Sequence, residues 1–100
     1  MEKYKVKITN NALNDLDEIY TYIAENLQEP VVAFNLIDRI EDEVLSLAQM
    51  PYRCPERRIG QYANKGYRQL LVKNVTVIYR IDENSKHVIV VTIRYSRSLF

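Results

Sequence analysis

Arginine beside tyrosine is the combination that recurs where this chain could do chemistry. Arg68, Arg80, Arg94 and Arg97 fall in the last third of the sequence, with Tyr67, Tyr79 and Tyr95 adjacent to them or close by. A guanidinium offers a planar fork of donors to phosphate or carboxylate, and a tyrosine ring offers a face on which a base can stack. The same two residue types anchor protein interfaces. Nucleic-acid contact and protein contact both stand as readings of this set.

Hydrolytic turnover would need a nucleophile beside a base, paired carboxylates, or a metal. The chain holds one histidine, His87, and one cysteine, Cys54, too few for a metal-ligand cluster. His87 opens a strand next to a turn and reads as a surface residue; Cys54 reads as a small, partly buried thiol. The run Glu41-Asp42-Glu43 reads as the solvated face of a helix, and no Gly-rich phosphate loop is present. No metal and no cofactor are expected.

The totals set the frame. One hundred residues, 47% of them hydrophobic and 27% charged, suit a single domain spanning 1–100. The net charge of +1 conceals a division: residues 1–50 hold four Lys/Arg against ten Asp/Glu, residues 51–100 ten against three. One acidic layer and one basic layer are expected. No apolar run approaches the ~20 residues of a membrane span. The start, MEKYKVKITN, lacks the continuous apolar stretch of a signal peptide. With a single cysteine, a cytoplasmic location and no membrane contact follow as expectations.

These residues must be positioned by a mixed set of elements. Tyr4 to Ile8 alternates apolar with polar, as a half-buried strand does. Thr9, Asn10 and Asn11 can cap the helix that follows, whose stripe reads Leu13, Leu16, Ile19, Tyr20, Ile23 and Leu27. Asp15, Asp17 and Glu18 sit early in it, where the macrodipole favours negative charge. Pro30 suits the first turn of a second helix with the stripe Ala33, Leu36 (or Phe34), Ile37, Ile40, Val44 and Leu47, ending near Met50-Pro51. The short link makes an antiparallel helical hairpin. After the irregular stretch Pro51–Lys65, three strands are predicted: Tyr67–Lys73, a tight turn at Lys73-Asn74 with Asn tolerating the left-handed conformation, Val75–Ile81, a turn over residues 82–86, and His87–Tyr95. Val88-Ile89-Val90-Val91 is apolar at every position, as a central strand covered on both faces would be. The fold class is α+β: an N-terminal strand, an antiparallel helical hairpin, then a three-stranded antiparallel meander in one curved sheet.

In this order of elements the chain resembles the RelE/ParE family of toxins from type II toxin–antitoxin pairs. The residues that carry the resemblance are Leu13-x-x-Leu16-x-x-Ile19-x-x-Tyr22-Ile23, Tyr67-Arg68, Val77-Ile78-Tyr79-Arg80-Ile81, and Val88-x-Val90-x-x-Ile93-Arg94-x-x-Arg97. The resemblance implies a small toxin held by a cognate antitoxin in a hetero-oligomer. Members similar to RelE cleave mRNA on the ribosome without metal, using a basic sheet surface and an acid/base residue near the carboxyl terminus. On that reading Arg68, Tyr95 and Arg97 would be the catalytic residues.

Three departures favour the ParE branch. Leu70 and Thr76 stand where the RNA-cleaving members carry Lys or Arg, and Ser98-Leu99-Phe100 follow Arg97 with no Tyr or His. Members similar to ParE poison DNA gyrase by stabilising its cleaved-DNA intermediate, which requires binding but no catalysis. The expected partner-binding residues are then Arg68, Arg80, Arg94, Tyr95 and Arg97, with DNA gyrase and the antitoxin as partners and nucleic-acid contact indirect. A mRNA interferase, or a remnant that only binds its antitoxin, are the alternatives. Val75 occupies a position where relatives often carry an aromatic residue.

Overall fold

A computed structural model describes residues 3–95. Strand β1 (Lys5–Ile8) leads into helix α1 (Asn10–Thr21), which widens into a π-turn over Tyr22–Asn26. Helix α2 (Pro30–Ser46) follows, then β2 (Arg68–Val72), β3 (Val75–Asp82) and β4 (His87–Tyr95). The sheet order is β1-β4-β3-β2. β2, β3 and β4 form the expected antiparallel meander, and β1 adds to β4 in parallel. That parallel pairing is possible because the whole helical hairpin serves as the crossover between β1 and the rest of the sheet.

Thr9 is the N-cap of α1: its hydroxyl accepts from the Ala12 amide at 3.2 Å, while its own amide donates to the Val90 carbonyl of β4. The cap therefore fixes helix to sheet as well as starting the helix. The buried stripe of α1 runs Ala12, Leu16, Ile19 and Ile23. Leu13, Tyr20 and Leu27, expected on that stripe, face out instead. All three lie on the same side of the line through Leu16 and Ile23, about 30–70° round the helix from it, while alanine at 12 takes the inward place on the other side. On α2 the stripe Ala33, Leu36, Ile40 and Val44 is buried as expected, with Leu47 just beyond the helix, while Phe34 is exposed. The helix stops at Ser46, short of the predicted end, and tight turns carry the chain to Pro51.

The first turn of α1 holds no acidic residue, so the macrodipole does not explain Asp15. Its carboxylate accepts from the Ile93 amide at 3.0 Å and the Thr92 hydroxyl at 2.6 Å. β1 pairs with β4 only as far as Val90. Beyond that point Asp15 satisfies a backbone donor on the exposed edge, as buried or half-buried peptide groups require.

The core lies between the hairpin and one face of the sheet. Val6, Val88 and Ile81 form one cross-strand row on that face; Ile8, Val90 and Tyr79 form the next, then Ile93, Val77 and Leu70, then Tyr95, Val75 and Val72. β4 is central by position but covered on one face: Val88 and Val90 are fully buried, Ile89 and Val91 only half. At the β2–β3 turn the left-handed residue is Lys73 (φ 53°), with Asn74 on the ordinary side.

Candidate partner-binding face

The face of the sheet turned away from the helices carries a row of cations. Strand parity sends Lys5 and Lys7 of β1 and Arg80 of β3 to it. Two rows are explicit in the register: Lys5, His87 and Asp82, then Lys7, Ile89 and Arg80.

Arg94 reaches the same face through a β-bulge. Tyr79 pairs with Val90 and Ile78 with Thr92, so Val91 has no partner across β3. The extra residue inverts the parity of β4. Before it, even-numbered Val88 and Val90 point into the core; after it, Ile93 and Tyr95 do, and Thr92 and Arg94 take the other parity at the open edge of β4, where Thr92 is buried against Asp15 of α1 and Arg94 borders the same cleft. Without the bulge Arg94 would be driven against the hairpin. As it stands, Arg94 lies in a row with Thr76 and the 66% exposed Leu71. Its Nε donates to the Thr92 hydroxyl at 3.1 Å. Four residues of β3 separate this row from that of Arg80, roughly 13 Å.

Arg68 has a different place. It pairs with Tyr79, on the helix side of the sheet. Its Nη1 donates to the carbonyls of Cys54 (2.5 Å) and Tyr52 (3.4 Å), its Nη2 lies 3.9 Å from Glu56, and its guanidinium sits 5.0 Å above the Tyr52 ring. The side chain is 20% exposed. It clamps the turn that follows α2. Tyr79 joins the same clamp, donating to the Pro51 carbonyl at 2.6 Å; burial pushes its phenol far above the ordinary range.

Tyr95 also falls on the helix side, its ring 6.1 Å from that of Tyr22. It borders two clefts: one of about 340 Å³ with Asp15, Glu18, Tyr22 and Arg94, and one of about 450 Å³ with Ile23, Leu27, Val32, Leu36 and Arg39. Arg68 lies opposite Tyr79 and Tyr95 opposite Val75, four residues apart on β3 and so roughly 13 Å. Arg97 lies outside the described residues.

The positions that distinguish the two toxin branches can now be located. Thr76 is half-buried on the outer face beside Arg94, whereas Leu70 is buried in the core. A cation at 70 would point into the hairpin; Leu71 is the outward residue. Val75 is 1% exposed and packed in the row with Tyr95 and Val72, so its size answers to core volume. Among the described residues no three His, Cys, Asp or Glu gather to hold a metal. No helix among them is long and apolar enough to cross a membrane.

Sequence reading missed one polar cluster. Glu83, in the β3–β4 turn, accepts from the hydroxyls of Tyr4 (2.7 Å) and Tyr52 and from Lys86 Nζ (2.7 Å). Lys86, then Tyr52 and Tyr4, hold its carboxyl down to about 2, and the bond to Glu83 pushes the Tyr52 phenol up to about 12. Sequence separations of 31 and 79 residues left no local signal for it.

Residues 6–100 match the model of the ParE toxin of the type II toxin–antitoxin system, parDE. This chain belongs to the ParE toxin family. A ParDE toxin–antitoxin system of P. aeruginosa contains a chain of the same fold, with TM-score 0.76 and 23% identity over 93% of this chain and 96% of that one. A YoeB/ParE toxin from Agrobacterium tumefaciens gives 0.59 and 17% over 91% and 96%. The isolated E. coli RelE toxin gives 0.60 and 10% over 96% and 87%. No curated protein sequence matches the chain. The protein is thus a type II toxin of the RelE/ParE superfamily, on the ParE side.

Proposed function

We infer that this ParE-family toxin acts by binding, without catalysing a reaction, and that its target is DNA gyrase with cleaved DNA in place. The observation that carries the reading is the separation of the candidate catalytic residues. Metal-free RNA cleavage needs a base, a charge clamp and a proton donor within hydrogen-bond reach of one phosphate. Arg68 and Tyr95 stand at opposite ends of the helix side, Arg68 already engaged with two carbonyls, while Arg80 is on the other face and Arg94 at the sheet edge, in a cleft that Tyr95 also lines. A surface of dispersed cations suits an extended acidic or nucleic-acid partner better than a single reacting group.

The antitoxin takes the same surface. The ParDE and RelBE neighbours come from toxin–antitoxin systems, and a cognate antitoxin completes a hetero-oligomer here too. An acidic segment crossing Lys5, Lys7, Arg80 and Arg94 would cover the surface that meets gyrase, so binding and neutralisation exclude each other. The discriminating experiment is expression without the antitoxin in bacteria carrying a DNA-damage reporter and a translation reporter. Early induction of the damage response with continuing protein synthesis supports the gyrase reading. A halt in protein synthesis within minutes, with the damage reporter silent, assigns the toxin to mRNA.

A further inference from the structure

The two sides of the molecule are opposite in charge, and each carries a pair of like charges beside an apolar centre. On the helical side Leu13 and Tyr20 of α1 and Ile37 of α2 line a groove of about 380 Å³, with Asp17 and Glu41 on its rim from the two helices. Leu13 and Tyr20 are 46% and 42% exposed, large apolar groups of α1 that face out beside the acidic residues. Residues 10–46 carry nine carboxylates against the single Arg39. Asp17 and Glu41 stand on neighbouring helices, and the axes of packed helices lie ~8–10 Å apart. On the sheet side Lys7 and Arg80 flank half-buried Ile89 in one row. Two strand spacings of ~4.8 Å place them about 10 Å apart. Among the described residues none of these four charged groups is in an ion pair.

We propose that a second copy of this chain occupies the helical groove. The outer sheet face of one molecule seats on the hairpin of the next. Lys7 and Arg80 meet Glu41 and Asp17, and Ile89 enters between Leu13, Tyr20 and Ile37. The two surfaces lie on opposite sides of one molecule, so the contact is head to tail and leaves one face open at each end. Four strands at ~4.8 Å and about eight residues of length make a face of roughly 500 Å², below the ~800 Å² per partner of stable complexes. The association is therefore weak, and strongest at low salt. It does not depend on gyrase being the target.

Sedimentation velocity of the purified chain tests this, from about 10 μM to about 1 mM, in about 20 mM and about 0.5 M salt, where the screening length falls from ~20 Å to ~4 Å. The sedimentation coefficient is expected to rise with concentration at low salt and to return to that of an 11.8 kDa monomer at high salt. The variants Lys7→Glu/Arg80→Glu and Asp17→Lys/Glu41→Lys are each expected to stay monomeric alone. Their equimolar mixture re-associates, because each supplies the charge the other has lost. All four sites are exposed, and far-UV circular dichroism verifies that the variants fold. A wild type that stays monomeric at low salt overturns the proposal. So does a mixture that fails to re-associate, or two variants that associate alone as the wild type does.

Discussion

Arg68 and Arg80 belong to the same hairpin, and the residue opposite Arg68 is the immediate neighbour of Arg80. Arg68 spends its donors on the carbonyls of the turn after α2 and stacks on Tyr52. Arg80 is exposed on the other side of the sheet. One strand step turns a structural clamp into a surface cation. Counting arginines on the hairpin therefore overstates its surface cations, and parity combined with register separates Arg80 from Arg68.

The comparison can be broken most forcefully at its buried end. Tyr79→Ala is expected to cost about 3–5 kcal/mol in urea unfolding, through the cavity it leaves under the hairpin and the unpaired Pro51 carbonyl. Arg68→Ala should cost about 1–3 kcal/mol, because the Cys54 carbonyl loses its charged donor and Tyr52 its stacking partner. The same change at Arg80 should alter stability by no more than about 0.5 kcal/mol. Equal losses from Arg68→Ala and Arg80→Ala would erase the distinction.

Binding should reverse the order. Charge reversal at Arg80 and Arg94 together is expected to weaken the antitoxin complex by about tenfold or more, with the deficit growing as salt is lowered. Arg68→Ala should leave that affinity within about a factor of two once folded protein is compared. Undiminished affinity in the double reversal, read by isothermal titration calorimetry, would remove the outer face from the antitoxin site.

The smallest effect is a pH dependence at the Glu83 cluster. Its carboxyl is held at about 2 against an ordinary 4.5, so the folded state favours the charged form. The stabilisation is fully present above pH ~4.5 and is lost as pH falls toward ~2. Glu83→Gln lacks this titration. The difference in melting temperature between wild type and variant should shrink across that window and stay constant above it. The group is solvent-exposed, so the whole difference is modest.

Much of this fold is written locally. Period-2 and period-3.6 patterns, the Thr9 cap and Pro30 all act over a few residues, and each leads to the element observed. Four features carry no such plain local signal. The parallel β1–β4 pairing joins residues about eighty positions apart, as does the Asp15 bond to Ile93. The bulge at Val91 has no glycine or proline to announce it, yet it decides which way Arg94 points. The place of Arg68 follows from the two-residue turn at Lys73-Asn74, because the turn sets the register that pairs it with Tyr79.

The central claim, binding without catalysis through the outer sheet face, is tested most directly by a plasmid cleavage assay. Gyrase, supercoiled plasmid and ATP are incubated with the wild type or with Lys7→Glu/Arg80→Glu, and protein is denatured before electrophoresis. Linear plasmid should accumulate with the wild type, fall to the background level with the variant, and be prevented by prior addition of antitoxin. A wild type that yields no linear plasmid, or a variant as active as the wild type, would contradict it.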